Sequence, residues 1–167
     1  MKTEFDVDVT YKDMFNFLIN NQYRSITGVI WLVFSVGVLF IAIYTWGDVN
    51  IMNSIMLLLF ASLYTIAVPI TLYSKAKKQV RNNDSFASTL HYTVDAEGIK
   101  VSQGSISDEA KWDEIWKIVK YGRDVVAYIG AGKAFIWPIK DIGDKYNDLV
   151  EIASAQVGIK CHIRKSV

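Results

Sequence analysis

The sequence predicts an α+β membrane protein, in which a two-helix transmembrane hairpin is joined to a small antiparallel β domain with a C-terminal helix. Two apolar runs without any charged side chain, residues 25–47 and 49–74, predict the hairpin. After residue 84, short segments of alternating polarity separated by turn residues predict the β domain. A helical spacing of apolar residues from Asp144 onward predicts the helix that ends it.

Both apolar runs are long enough to cross a bilayer, which takes about 20 residues at about 1.5 Å each. They extend over residues 26–46 and 51–73. Backbone groups inside lipid must bond within their own segment, so both runs are predicted to be helices. Only Gly47-Asp48-Val49-Asn50 links them, which forces an antiparallel hairpin. A cleaved signal peptide is disfavoured, because charged residues precede the first run and a second run follows it.

The positive charges next to the apolar runs predict the orientation. The link between the runs has no lysine or arginine, whereas Lys12 and Arg24 precede the first run and a basic run follows the second. The positive-inside rule then places both termini in the cytoplasm of a multi-pass plasma-membrane protein. The predicted domains are a cytoplasmic strand and helix (1–24), the hairpin (25–74) and a cytoplasmic β domain (84–167).

Small residues recur along both predicted membrane helices, where they allow close packing. The two stripes either face each other or form a homodimer seam, so a homo-oligomer is one of the predictions. Pro69 is expected to kink the second helix. No ionisable side chain lies at membrane depth, which argues against an ion pathway or a transporter. The small residues are Gly28, Ser35 and Ala42 in the first helix, and Ser54 and Ala61 in the second, with Thr65 one turn beyond.

The N-terminal segment predicts a half-buried strand over residues 4–9, because Phe5, Val7 and Val9 alternate with polar residues. Thr10, with Asp13 three residues later, is the expected N-cap of a following helix. A strand this short needs a partner, so we predict that it completes the C-terminal sheet and that the hairpin is an insertion within one fold. The alternative is that residues 1–24 form only an interfacial helix with a frayed start.

Residues 82–85 are typical of a linker, and six strand signals follow them. The segment Gly130-Ala131-Gly132-Lys133 superficially resembles a phosphate-binding loop, but its position between two strands favours a hairpin turn. Gly158 is the expected C-cap of the last helix. Short antiparallel strands closed by one helix predict a small barrel or bent sheet that the helix plugs. The predicted strands are 89–94, 99–103, 106–110, 115–121, 125–129 and 134–137.

The order of these elements resembles the YcxB-like family. The resemblance is carried by the segments "DAEGIKV", "AKWDEIWKIVKYG", "VVAYIG" and "KAFIWPIKDI", followed by a helix, and it covers nearly the whole chain. In that family, two transmembrane helices precede a bacterial pleckstrin-homology-like (PH-like) domain. The resemblance therefore implies a PH-like fold for residues 84–167. It implies no activity, because its motifs are patterns of hydrophobicity and turns.

The sequence predicts no enzyme, no metal site and no cofactor. The carboxylates near Trp112 have no histidine or nucleophile beside them, which favours a solvated turn. His91 and His162 lack spaced ligand partners for zinc. Cys161 and His162 are adjacent in a strand, so they point to opposite faces, and one cysteine cannot form an intrachain disulfide. The carboxylates are Asp108, Glu109, Asp113 and Glu114.

Two sets of residues are candidates for binding. Lysine and arginine beside a bilayer attract anionic lipid headgroups at roughly 1 kcal/mol each, although they serve equally as topology determinants. Large aromatic rings are either core residues or binding anchors. The basic set is Lys75, Lys77, Lys78 and Arg81, and the aromatic set is Trp112, Trp116 and Trp137.

These observations predict a membrane-tethered, non-enzymatic binding module that recognises a peptide, a protein or lipid headgroups at the cytoplasmic face. The alternative is an accessory or immunity-type protein, which acts with a transporter or against a membrane-active peptide. The net charge of +1 does not support nucleic-acid binding.

Overall fold

The computed structural model of the chain describes residues 2–83, 86, 88–129 and 133–165, and it divides into two compact units. The β domain consists of Met1–Phe17 and Lys77–Val167, and the hairpin unit consists of Leu18–Ala76. The helices are α1 (Tyr11–Arg24), α2 (Ile26–Tyr44), α3 (Ile51–Ser62), a π-helical turn (Leu63–Ala67), α4 (Val68–Asn82), α5 (Ile139–Ile142) and α6 (Tyr146–Val157). The strands are β1 (Thr3–Val7), β2 (Leu90–Val94), β3 (Gly98–Gln103), β4 (Ile106–Lys111), β5 (Ile115–Tyr121), β6 (Asp124–Ile129), β7 (Lys133–Pro138) and β8 (Cys161–His162).

Two helices of the described chain are long and apolar enough to cross a membrane by length and composition. One is α2, with 19 residues and a mean hydropathy of 2.6. The other is the 32-residue helix Ile51–Asn82, with a mean hydropathy of 2.2 in its most apolar stretch. The sequence predicted that the second helix ends at residue 73. This prediction is wrong, because the helix continues to Asn82. The basic run continues it because lysine, arginine and glutamine favour helices and no glycine interrupts them.

Small residues pack α2 against α3. Gly28, Ser35 and Ala42 are the buried residues of α2, and Ser54 and Ala61 are those of α3. The Ser35 hydroxyl donates a hydrogen bond to the Ala61 carbonyl. The prediction that the two stripes face each other is confirmed.

Thr65 does not extend this seam, since it is exposed. It lies in the π-helical turn Leu63–Ala67, which comes just before Pro69. Pro69 has no N–H to donate to the carbonyl four residues earlier, that of Thr65, so the regular α-helical ladder is interrupted there. The π-helical turn still contacts α2, since the Tyr64 hydroxyl donates a hydrogen bond to the Gly28 carbonyl over 3.1 Å.

In the described residues, the β domain contains two four-stranded sheets. The order in the first sheet is β1-β2-β3-β4, and all of its neighbours are antiparallel. The pairing of β1 with β2, from Thr3↔Val94 to Val7↔Leu90, confirms that the N-terminal strand completes this sheet. The hairpin unit is thus inserted between two adjacent strands. The strand ends at Val7 instead of Val9, although Val9 is also buried.

The second sheet has the order β7-β6-β5-β8, in which β8 runs parallel to β5. The sequence did not predict β8, because two residues carry no alternation to detect. Strands β2 to β7 agree with the prediction to within one residue at each end. Residues 84 and 85 of the predicted linker, and residues 130–132 of the predicted turn, lie outside the described residues.

The main core lies between the sheets and includes buried residues of α6. An aromatic group at its centre has Trp137 in contact with Phe5, Tyr92 and Phe135, at ring-centroid distances of 5.8, 5.7 and 6.2 Å. Leu149 and Ala153 of α6 are fully buried in the same core. The expected plug of the β domain by the C-terminal helix is therefore confirmed.

A second cluster lies on the other face of the second sheet, where α1 packs. Phe17 of α1 contacts Tyr128, with ring centroids 5.9 Å apart, and the cluster also contains Tyr121 and Val126. Val125 and Ala127 belong to the main core instead. Strand β6 is buried over Asp124–Tyr128 because both of its faces are covered. Its continuous apolar run, Val-Val-Ala-Tyr-Ile, is typical of such a strand.

Candidate functional surface

The basic run lies on α4, on the side opposite the buried residue Ala76. Lys75, Lys77, Lys78 and Arg81 are all exposed. At about 100° per residue, the four side chains fall within an arc of about 160°. No acidic residue occurs between Asp48 and Asp84 in the sequence. The Lys77 ammonium lies 5.4 Å from the centre of the Tyr11 ring.

The three candidate tryptophans occupy different environments. Trp137 is fully buried, and Trp112 is 9% exposed in the same core. The Trp112 indole N–H donates to the Asp95 carbonyl over 2.9 Å and so fixes the turn between β2 and β3. Trp116, in contrast, is 60% exposed. Trp112 and Trp137 are core residues, so Trp116 is the tryptophan of this set that can serve as a binding anchor.

A β-bulge explains the exposure of Trp116. Ile115 pairs with Ile129, but the next register pair is Lys117 with Tyr128, so Trp116 is the extra residue. Bulges of this kind redirect a side chain away from the regular alternation. Both Trp116 and Lys117 are exposed as a result, and the Lys117 ammonium lies 4.8 Å from the Tyr128 ring centre.

The carboxylates around Trp112 are exposed and make local structural contacts. Glu114 accepts a hydrogen bond from the Lys111 N–H at 2.9 Å, and Glu109 lies 4.0 Å from the Lys100 ammonium on β3. Asp108 and Asp113 are exposed as well. Among the residues that the structure describes, no group of three or more histidine, cysteine, aspartate or glutamate side chains is arranged to hold a metal ion.

The histidines and the cysteine do not come together as a reactive group in the described part of the chain. His91 pairs with Asp6 across β1 and β2, with 2.7 Å between Nδ1 and Oδ1. Cys161 is half-buried and contacts the Ser154 hydroxyl at 3.5 Å, whereas His162 is exposed. The opposite orientations predicted for Cys161 and His162 are consistent with this difference in burial.

A partly buried polar cluster, which the sequence did not predict, joins α1 to the turn between β5 and β6. The Asn16 amide donates to the Tyr121 carbonyl and to Asp124 Oδ2, each over 2.6 Å. Asp13 Oδ1 lies 3.3 Å from Arg123 Nη2, and its other oxygen accepts from the N–H and the hydroxyl of Thr10. Asp13 thus bonds to Thr10 at the N-terminus of α1, as expected from the capping pattern. It also pairs with Arg123 in the turn between β5 and β6.

Asp124 is the most buried member of this cluster. It is fully inaccessible to solvent, and its Oδ1 atom has no hydrogen-bond partner. Burial raises the pKa of the Asp124 carboxyl from 3.8 to about 6, and the nearby Asp13 charge acts in the same direction. The Asn16 hydrogen bond and the charges of Arg123 and Lys140 lower the pKa and offset part of this effect.

The sequence signals for this cluster were indirect. Gly122-Arg123-Asp124 reads as an ordinary turn, and Asp13 reads as a capping residue. The continuous apolar run of β6 was the signal that a second layer covers the sheet. No local pattern identified α1 as that layer, because Phe17 also fits a helix that lies on a membrane.

The chain thus belongs to the class of α+β proteins with two membrane-length helices and antiparallel sheets. No family model matches it, and no solved structure matches it. It is 29% identical over 70 residues to a Bacillus subtilis (strain 168) protein named "Uncharacterized protein YcxB". The aligned part covers 42% of this chain and only 38% of that protein. The similarity supports a relation to YcxB and brings no activity with it.

Proposed function

We propose that this chain is an integral membrane protein of the YcxB-like family, in which the hairpin anchors a PH-like domain at the cytoplasmic face of a bacterial plasma membrane. The domain acts there as a non-enzymatic binding module. One observation carries the proposal: a hairpin of membrane length is inserted between the paired strands β1 and β2. The domain is therefore attached to the hairpin through both of its chain connections.

The low burial of the apolar helices supports the membrane assignment. Of the most apolar stretch of each helix, only 17% is buried in α2 and only 6% is buried in Ile51–Asn82. A core helix of a soluble protein is mostly buried, so lipid accounts better for these surfaces. Charged residues and a paired strand precede α2, which disfavours a cleaved signal sequence.

The PH-like assignment is supported by two four-stranded sheets, antiparallel except for the β5–β8 pair, and by α6, whose apolar side lies in the core. The similarity to YcxB is in line with the family resemblance. The binding assignment is supported by Trp116, which a bulge exposes on an otherwise well-packed domain. An exposed tryptophan on a rigid strand is a frequent recognition residue.

Photo-crosslinking in whole cells tests the binding proposal. A photoreactive amino acid is placed at Trp116 in the full chain, and the matched control carries it at Glu97, an exposed residue of the turn between β2 and β3. We expect a discrete adduct from position 116 that position 97 does not give. Identical patterns at both positions would contradict a binding role for this surface. Recovery of both variants, with the photoreactive residue at position 116 or 97, in the membrane fraction after alkaline washing tests separately whether the chain is anchored in the membrane.

The accessory function remains a second candidate because the hairpin unit has an apolar groove of its own. The groove has a volume of about 410 Å³, and Ser35, Leu39, Ile55, Leu59 and Thr65 are among its lining residues. A membrane helix of another protein fits such a surface. A photoreactive amino acid at Leu39 distinguishes the two functions, since an accessory protein gives its protein adduct there and not at Trp116.

A further inference from the structure

Trp116 is accompanied by a second exposed hydrophobic residue in the same region of the β domain. In the described part of this domain, the large hydrophobic residues with high exposure are Ile106, Trp116 and Ile159, at 72%, 60% and 94%. Isolated exposed hydrophobics are common and need no explanation. Trp116 and Ile159 are different because the topology brings them together.

The parallel pairing of β5 and β8 places these two residues at the same end of the two strands. Ile118 pairs with Cys161, and Trp116 and Ile159 each lie two residues earlier in their own segments. The turn Gly158–Lys160, which carries Ile159, contacts β5. The bulge turns Trp116 outward at this end. We call Trp116 and Ile159 the apolar tip.

The chemistry of the apolar tip is that of an interfacial anchor. Lys117 follows Trp116, and Lys160 follows Ile159, and both lysines are exposed. The acidic residues nearby in the chain are Asp113 and Glu114, and Glu114 is already bonded to the Lys111 N–H. Tryptophan and lysine both favour the headgroup region of a bilayer, where an indole ring sits below the charged groups. A protruding aliphatic residue adds apolar area that can enter the acyl boundary.

We propose that the apolar tip inserts into the interfacial layer of the bilayer and forms a second membrane contact in addition to the hairpin. This inference rests on the proposed membrane function. A bilayer is favoured over a protein partner because tryptophan and lysine both prefer the headgroup region and the proposed hairpin holds the domain beside a bilayer. The tether keeps a bilayer at high effective concentration around the domain, so two side chains are enough for a contact that is too small to bind lipid alone.

Site-specific fluorescence of the purified full chain in proteoliposomes tests this contact. The sole cysteine is first replaced by Cys161→Ser, and an environment-sensitive dye is then attached to Trp116→Cys or Ile159→Cys. The vesicles contain phosphatidylcholine and phosphatidylglycerol, with nitroxide-labelled lipid as the quencher. The exposed residue Ser107 on β4 provides the aqueous control as Ser107→Cys, and Phe40 on α2 provides the intramembrane control as Phe40→Cys.

We expect blue-shifted emission and lipid-dependent quenching at positions 116 and 159, well above those at position 107. Trp116→Ala should reduce the quenching of the dye at position 159, because the two residues act together. Quenching at 116 and 159 equal to that at 107, with the dye at position 40 still quenched, would overturn the second contact and leave the membrane proposal intact. Absence of quenching at position 40 would overturn the membrane proposal itself. A protein adduct at Trp116 in the crosslinking experiment, without quenching here, would assign the apolar tip to a protein partner and also overturn this inference.

Discussion

Gly28 lies in the first turn of α2 at a point where no larger side chain fits. A Cβ atom at this position would lie 1.8 Å from the Gln22 carbonyl oxygen, far inside van der Waals contact. Gly28→Ala should therefore lower the thermal unfolding midpoint of the detergent-solubilised chain, even though alanine favours helices. At Gly37 in the same helix, an added Cβ atom would meet nothing within 4 Å, so Gly37→Ala should be neutral or stabilising by up to about 1 kcal/mol. Equal midpoints for the two variants would contradict this steric explanation.

Asp124 should make the stability of the chain fall as the pH rises from about 4 to about 6. Its pKa is about 6 in the folded chain and near the ordinary 3.8 when unfolded, so the folded state holds more protons in this window. Stability then falls with pH by up to about 1.4 kcal/mol per unit. Asp124→Asn should remove this component, which denaturant unfolding of the full chain at several pH values would detect.

The exposed residue Asp113 provides the control for this measurement. Asp113→Asn makes the same substitution at an exposed position and shows what the loss of a surface carboxylate does to the measurement. A similar pH slope in the parent chain and in Asp124→Asn would mean that the buried Asp124 carboxyl does not titrate in this range.

At the scale of single elements, β1 tests whether the hairpin is an insertion. Val7 is 1% exposed and pairs with Leu90, so Val7→Asp places a charge in the core without a partner. We expect a loss of on the order of 3 kcal/mol in the free energy of unfolding. Asp6, on the opposite face of the same strand, is exposed and pairs with His91. Asp6→Asn should cost less than about 1 kcal/mol, measured by denaturant unfolding of both full-length variants.

A fragment comparison gives the same test independently of the membrane. Residues 84–167 alone lack β1, so one edge of β2 is left without its partner. Fusion of residues 1–10 through a flexible linker should raise the unfolding midpoint, and Val7→Asp in the fused strand should abolish the gain. Equal stability with and without the fused segment would show that β1 contributes little to the fold.

The elements differ in how far the sequence could predict them. The alternation of Phe5, Val7 and Val9 was enough to predict β1 and its partner sheet, since one apolar face needs burial. The two-residue strand β8 and the bulge at Trp116 have no periodic signal, because each depends on contacts with distant residues. The cluster around Asp124 is beyond sequence reasoning for the same reason. Asn16 and Asp124 are 108 positions apart and meet only after the sheet and α1 have packed.

At the scale of the whole molecule, the strand order constrains where the chain leaves and re-enters the β domain. Val7, at the end of β1, pairs with Leu90, at the start of β2. The chain thus departs and returns at the same end of two adjacent strands. Under the proposed membrane function, the number of crossings between these points is even, which fits the two helices of sufficient length in the described residues. Lysine and arginine residues lie beside both connections between the hairpin and the β domain, so the positive-inside rule predicts the same side of the membrane for both.

Cysteine accessibility in intact cells tests the orientation. In a Cys161→Ser background, Asp48→Cys places a thiol in the link between the two apolar helices, and Asn83→Cys places one just after α4. An impermeant maleimide should label position 48 from outside, and position 83 only after the cells are opened. This result is expected because the link has no lysine or arginine, whereas Lys75, Lys77, Lys78 and Arg81 lie in the last two turns of the second helix. Labelling of position 83 in intact cells, with position 48 protected, would invert the orientation and place the β domain and its apolar tip on the outer face.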